Sequence, residues 1–277
     1  MKLHLHLGAH KTGTTHFQEV LKVNSGLYDS RVSYIEMEEF RRNLQWKNDW
    51  VDFASCGPYL DKIKGSNSTL LISEENLTGE TKDIYRDLFL YSNLEKRVGS
   101  FRKFTEDFGD IEVWFSIRSM DGFLPSIYCE SLRHWKYKKF NKVYGNNLNQ
   151  SWLPVIKRIR HIFPKARINV IRYENYMMVL PEVVNRIFGD NEQWDYLKEE
   201  RPRASMNHYA CGLMSNIGPY IPASISPRLL QGLSNFLDDF GVGHKFSPFN
   251  KKQIDDFSNL YKKDINAIKQ LEQVFVY

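Results

Sequence analysis

Residues 2–7 (KLHLHL) alternate apolar and polar positions and predict a strand. A turn bounded by Gly8 and Gly13 follows, and then Phe17, Val20 and Leu21 fall on one face of a helix over 14–23. Residues 68–73 (STLLIS) form a short apolar run of the kind a buried strand carries. Helical spacing returns over 94–108, breaks at Gly109-Asp110, and gives way to a strand over 111–117. Residues 122–135 read as a helix with Pro125 in its first turn, where a missing N–H is tolerated. A helix over 152–163 stops at Pro164, a strand occupies 167–173, and a helix over 181–188 ends at Gly189. Strands alternating with helices at these distances imply βαβ units and a parallel sheet. Beyond about residue 200 the pattern turns helical and irregular, with Pro and Gly clustered at 218–227 and 241–248. The expectation is one α/β domain over 1–277, in which about 200–277 is a helical segment that closes the site.

Composition narrows the class. Of 277 residues, 42% are hydrophobic and 26% charged, which excludes a mostly disordered chain. No apolar run approaches the roughly 20 residues that a membrane helix needs. The opening MKLHLHLGAHKTG is interrupted by His and Gly too early to serve as a secretory leader. Cys56, Cys129 and Cys211 are scattered without metal-site spacing, so a reduced, cytoplasmic setting is expected and no metal site. Charge adds one fact. Residues 131–173 hold eleven Lys and Arg and no Asp or Glu, so the rest of this +5 chain carries a net −6. Such asymmetry points to an anionic ligand or partner.

The segment with chemistry in it is Leu7-Gly8-Ala9-His10-Lys11-Thr12-Gly13-Thr14-Thr15. A strand, a tight glycine loop and a helix N-terminus make an anion cradle, because free N–H groups and the positive end of the helix dipole converge there. Thr14 and Thr15 add hydroxyls, and Lys11 adds a full charge. Gly8 and Gly13 have the separation found in the nucleotide-triphosphatase loop GxxxxGK[ST], but Thr14 stands where that loop has Lys. The cation sits inside the loop instead, which argues against an ordinary ATPase or GTPase.

A strand followed by KTGTT resembles the 5′-phosphosulfate loop of the sulfotransferases that use 3′-phosphoadenosine 5′-phosphosulfate (PAPS). HLGAHKTGTTHFQ is most similar to their bacterial and carbohydrate-type members. Two further matches support the resemblance. Trp114-Phe115-Ser116-Ile117-Arg118 ends a strand and Ser126 follows eight residues on, in the pattern with which the family binds the 3′-phosphate. Ile171-Arg172-Tyr173-Glu174-Asn175 is similar to the family's late strand end. The resemblance covers about residues 1–190 and implies a P-loop-like central parallel sheet flanked by helices, with a helical C-terminal part. No segment like the cytosolic members' RKGxxGDWK is present, so Arg201, Arg203, His244 and Lys245 are candidates to complete the 3′-phosphate pocket.

The resemblance also implies roles. Sulfuryl transfer demands in-line alignment and stabilisation of developing charge. Lys11 would stabilise the leaving phosphate and Thr14 and Thr15 would hold the 5′-phosphate. His10, Thr12, Gly13, Arg118, Ser126 and Tyr173 are the further cofactor-binding candidates, and no metal is required. Carbohydrate-type members take the acceptor proton with a Glu just after a buried strand, and Ser73-Glu74-Glu75-Asn76 supplies two candidates. Glu75 matches the bacterial pattern and Glu74 is its competitor; His10 and His16 flank the loop and stand next in line. His4 and His6 share a strand face and are expected to pack against helices.

Residues 133–142 (RHWKYKKFNK) interleave bases with aromatics, as single-stranded nucleic-acid surfaces do. A solvated helix end or part of a cofactor or acceptor groove would read the same way. Three functions compete: a sulfotransferase acting on a small-molecule or glycan acceptor, a P-loop phosphotransferase such as a small-molecule kinase, and a non-catalytic polyanion or nucleic-acid binder. The last leaves Arg118, Ser126 and Glu74-Glu75 without a purpose, so a nucleic-acid partner is not expected. Trp46, Trp50 and Tyr59 lie in a segment able to line an acceptor pocket.

Overall fold

The computed structural model describes residues 1–28, 31–65, 68–81, 84, 89–134, 136–145, 148–189, 193–197 and 206–277. Its strands are β1 (Lys2–His6), β2 (Val32–Ile35), β3 (Trp46–Lys47), β4 (Trp50–Val51), β5 (Thr69–Ser73), β6 (Asp110–Ile117), β7 (Arg167–Arg172) and β8 (Val274–Val276). The described helices are α1 (Thr14–Val23), α2 (Met37–Asn43), α3 (Phe53–Ile63), α4 (Leu94–Thr105), α5 (Met120–Leu132), α6 (Phe140–Tyr144), α7 (Leu153–Ile162), α8 (Tyr176–Phe188), α9 (His208–Ile217), α10 (Ser226–Asp239) and α11 (Lys251–Ile268).

Six strands form one parallel sheet in the order β2-β5-β1-β6-β7-β8. The expected mixed α/β architecture with a central parallel sheet flanked by helices is present. β1 lies between β5 and β6, so the chain leaves it toward one edge and later returns to build the other. That reversal opens a crevice at the C-terminal ends of β1, β5 and β6, where α/β sheets bind ligands.

Parallel strands are covered on both faces, and the two cores show how. Leu3 and Leu5 of β1 pack with Phe101 of α4, Phe123 and Ile127 of α5, Ile156 of α7 and Ile265 of α11. The opposite face holds Trp114 and Leu71 against Phe17, Val20 and Leu21 of α1 and Leu180 and Val184 of α8. His4 and His6 point to this second face. Trp114 Nε1 donates to His4 Nδ1 at 3.1 Å, His6 Nδ1 is 2.8 Å from Ser73 Oγ, and the His6 ring meets Phe17 edge-on. Both imidazoles are buried; His6 packs against α1 through Phe17, as expected, whereas His4 rests on Trp114 of the neighbouring strand. Burial pushes their pKa values down, to about 3 for His4 and about 4 for His6.

Three local expectations change. Pro125 lies in the interior of α5, not its first turn, because the helix begins at Met120 rather than 122. Pro181 likewise lies inside α8, which starts five residues earlier, at Tyr176. The C-terminal part is helical through α11, yet its last residues form β8 and extend the sheet beside β7. Three residues are too few for a periodicity to show.

Candidate active site

The loop after β1 is built by backbone ties. Leu7 and Ala9 donate to the carbonyls of Trp114 and Ser116, which carries the strand pairing with β6 three residues past β1. Gly8 then turns at φ 43°, where an added Cβ would lie 2.6 Å from Thr14 Oγ1. Gly13 caps α1 at φ 94°, and a Cβ there would meet the Tyr176 ring at 3.2 Å. Lys11 itself is left-handed at φ 64°, a conformation that costs a non-glycine residue about 1 kcal/mol or more and marks a held loop. Thr12 holds it, since its buried hydroxyl donates to the Ala9 carbonyl.

What this leaves open is the cradle. Among the described residues, the N–H groups of Lys11 and of Gly13 to His16 have no acceptor. Thr14 Oγ1 is buried and unpartnered beside them, and Thr15 is exposed on the first turn of α1. A helix start leaves such donors free, and an anion satisfies them. Lys11 Nζ donates to Glu130 Oε2 at 3.2 Å. Glu130, on α5, also receives Arg133 Nη1 at 3.3 Å and lies 3.5 Å from His134 Nε2. Reading by motif misses Glu130; its signal is its place four residues after Ser126, one turn along the same helix face.

A second group of candidates joins the loop through one hydrogen bond. Arg118 follows β6, and its Nη1 donates to the Lys11 carbonyl at 3.2 Å. Its guanidinium stacks over the Tyr173 ring, 4.4 Å from the centroid. Gly122 makes the room, because a Cβ there would sit 2.8 Å from Arg118 Nε. Glu174 fixes the neighbouring turn: it accepts from Ser119 N at 3.0 Å and from Tyr261 OH of α11 at 2.8 Å. Ser126 is half-buried on α5, on the helix that Arg118 precedes.

The two carboxylates after β5 have different surroundings. Strand alternation ends at Glu74, which caps a 3-10 turn over Glu75–Leu77. Glu74 is buried and takes Arg41 bidentately, Nε at 2.5 Å and Nη2 at 2.7 Å, and Asn76 N at 2.7 Å. Glu75 is half-buried and its carboxylate has no hydrogen bond among the described residues, although its charge reaches Arg41 and Tyr91. Tyr91 is wholly buried, which pushes its phenol far above the ordinary range. Its hydroxyl accepts from His10 N at 2.9 Å and lies 3.2 Å from His10 Nδ1, while His10 Nε2 donates to Asn76 Oδ1 at 3.0 Å. His10 is therefore a buried strut between the loop and the β5 turn. His16 is also engaged, between Tyr176 OH and the Leu197 carbonyl.

Beside this turn lies a cavity of about 200 Å³ lined by Phe40, Arg41, Leu44, Trp46, Glu74, Asn76, Glu80 and Arg97. Arg97 lies over the Trp46 ring at 4.0 Å and pairs with Asp49 at 2.7 Å. Trp46 is thus at the cavity, whereas Trp50 is exposed and Tyr59 packs partly buried against the core.

The basic segment separates its two residue types. Tyr137, Phe140 and Tyr144 pack inward, with Phe140 against Tyr128 and Phe246, while Lys136, Lys138, Lys139 and Lys142 face outward. Among the described residues the aromatics of this segment are thus turned inward and its lysines outward; Trp135 lies outside the described residues. His244 stacks on His208 at 4.7 Å and Lys245 bridges to Asn207, and no described contact links either to the loop. Arg201 and Arg203 lie outside the described residues.

No protein-family model and no curated protein matches this chain. Among solved structures it is similar to a sulfotransferase from Alicyclobacillus acidocaldarius, at 13% identity and a TM-score of 0.39, over 84% of this chain and 95% of that one.

Proposed function

We propose that this chain is a sulfotransferase that takes a sulfuryl group from PAPS to a hydroxyl or amino group of a carbohydrate or glycoconjugate. The observation that carries the reading is the row of N–H groups from Gly13 to His16, with that of Lys11, which have no acceptor among the described residues and are tied to Arg118 through the Lys11 carbonyl. One anion-binding row and one arginine, held a loop's width apart, suit a ligand with two phosphate groups.

PAPS supplies an activated sulfuryl group on a phosphate leaving group. The loop N–H groups with Thr14 and Thr15 hold its 5′-phosphate, and Lys11 sets a cation beside the charge that develops there. Arg118, braced on Tyr173, and Ser126 read the 3′-phosphate. Glu75 is the base: its carboxylate has no hydrogen bond among the described residues, whereas a proton on Glu74 would break the Arg41 pair. The acceptor enters the cavity by Trp46, whose aromatic and apolar walls beside Glu74, Glu80, Arg41 and Arg97 suit a neutral polyhydroxylated ring. Residues 206–277 belong to the same unit, since α11 reaches the site through Tyr261 and Glu174.

Thermal unfolding with adenosine 3′,5′-bisphosphate, AMP, and ATP plus magnesium tests the reading. The bisphosphate at about 100 times its dissociation constant should add roughly 2.7 kcal/mol without metal, and AMP distinctly less at equal concentration. Equal effects of AMP and bisphosphate remove the 3′-phosphate role, and stabilisation by ATP with magnesium alone favours a phosphotransferase.

A further inference from the structure

We propose that His10 is a positioning residue, whose side chain fixes Lys11, on the phosphate loop, relative to Glu75, on the turn after β5. The inference rests on the sulfuryl transfer proposed above and deepens it. His10 immediately precedes Lys11, and Asn76 immediately follows Glu75. A hydrogen bond of 3.0 Å from His10 Nε2 to Asn76 Oδ1 joins these two neighbours. It therefore runs from the residue beside the cation to the residue beside the base.

Strand register does not reach this far. β1 and β5 pair along their length, and Glu74 N still donates to the His6 carbonyl. Beyond that tie one chain has become the phosphate loop and the other the 3-10 turn over Glu75–Leu77. The His10 ring is fixed where the strands are not. It is buried, it stacks on the ring of Tyr91, and the Tyr91 hydroxyl accepts from His10 N at 2.9 Å. Tyr91 itself packs among Phe115 and Trp152 of the core. Asn76 is held from its other side: its N–H donates to Glu74 Oε1 at 2.7 Å, and its carbonyl accepts Arg97 Nε and Nη2 at 3.1 and 2.8 Å. Arg97 lies over Trp46, so the same bond ties the phosphate loop to the wall of the cavity.

His10 acts through its neighbours and not on the substrate. Both of its ring nitrogens are engaged, Nε2 with Asn76 and Nδ1 with the Tyr91 hydroxyl at 3.2 Å, so neither is left to take the acceptor proton. What the ring controls is the separation of Lys11 from Glu75. In-line transfer is sensitive to that separation, since a displacement of about 1 Å can cost on the order of 10²-fold in rate. Binding of the bisphosphate is less sensitive, because the loop keeps its ties through Leu7, Ala9 and Thr12 whatever side chain stands at position 10.

Three variants of the full chain test this. His10→Phe keeps a ring and removes both nitrogens, His10→Gln returns an N–H close to the place of Nε2, and Asn76→Ala removes the acceptor on the other side. The reaction followed is release of adenosine 3′,5′-bisphosphate from PAPS, with methyl glucoside or water as sulfuryl acceptor. In His10→Phe and Asn76→Ala kcat should fall about 10- to 100-fold while the dissociation constant of the bisphosphate stays within about threefold, and His10→Gln should recover most of the loss. The double variant should lose no more than the worse single one, as two partners in one bond do. In the nitrogen-labelled, ligand-free chain the His10 Nε2–H should give a slowly exchanging imidazole signal that Asn76→Ala removes. The inference is overturned if His10→Phe keeps its kcat, if kcat and bisphosphate affinity fall in proportion, if His10→Gln is no better than His10→Phe, or if the two losses add. Where His10→Phe does not fold, an Asn76→Ala enzyme with full kcat overturns it. An unaltered chain that releases no bisphosphate from PAPS overturns the sulfotransferase reading and this inference together, whereas every earlier outcome leaves that reading standing.

Discussion

Lys11 Nζ stands 3.2 Å from Glu130 Oε2, so the cation of the phosphate loop is paired with a carboxylate borne by the helix that also carries Ser126. The Glu130 side chain is only 11% exposed and Lys11 is 26% exposed, so the pair is shielded from water on most sides. An anion entering the loop must share Lys11 with Glu130, and two negative charges a few ångströms apart repel by about 1 kcal/mol or more where water is scarce. Glu130→Gln should therefore bind adenosine 3′,5′-bisphosphate about three- to tenfold more tightly by titration calorimetry. Unchanged or weaker binding would show that Glu130 instead holds Lys11 in its working position.

Lys11→Ala should lower turnover by more than it weakens bisphosphate binding, because the charge that Lys11 meets is greatest in the transition state. Steady-state kinetics beside calorimetry measure the two losses. If they are equal, Lys11 contributes to binding alone.

Glu75→Gln should cost 10²–10⁴ in sulfuryl transfer with bisphosphate affinity and melting temperature nearly unchanged. Glu74→Gln should behave differently, because Arg41 would lose its bidentate partner. Arg41 keeps 38% of its side chain in water, which limits the loss to roughly 1–2 kcal/mol of stability. Should Glu74→Gln be the inactive variant at an unchanged melting temperature, the base is Glu74.

Gly122→Ala tests Arg118 without removing it. The helix accepts alanine at this position, but the new methyl would stand 2.8 Å from Arg118 Nε and displace the guanidinium from Tyr173. Stability should stay within about 1 kcal/mol, while the preference for the bisphosphate over AMP should fall about tenfold. A preference that survives the methyl group separates Arg118 from the 3′-phosphate.

Acid should destabilise the fold through β1. Burial holds His6 at a pKa of about 4 and His4 at about 3, against 6.5 unfolded, so below pH 6.5 the unfolded chain binds the extra protons. The stability that these neutral imidazoles preserve is complete above pH 6.5 and is lost as pH falls toward 4. Each contributes a slope of at most about 1.4 kcal/mol per pH unit. Urea unfolding between pH 7 and 4.5 should show the fall, and His6→Leu should flatten it; a flat wild-type profile contradicts the assignment.

The local order of this protein is written in its sequence. The alternation in KLHLHL, the run STLLIS and the spacing of Phe17, Val20 and Leu21 each specify an element from neighbours in the chain, and Gly8 and Gly13 mark positive-φ turns that other residues resist. The loop, Arg118 and the paired carboxylates were legible for the same reason: their chemistry sits in short contiguous strings. What neighbours along the chain cannot encode was decided by tertiary contact. Glu130 meets Lys11 across 119 residues, His10 is held by Tyr91 across 81, and Glu74 differs from Glu75 in being held by Arg41 across 33. The inward turn of Tyr137 and Phe140 likewise depends on Gly218 and Phe246 arriving from the far end of the chain. Local periodicity records which side of an element is buried; which groups meet there depends on how distant segments pack, and that is where burial and charge pairing set each group's chemistry.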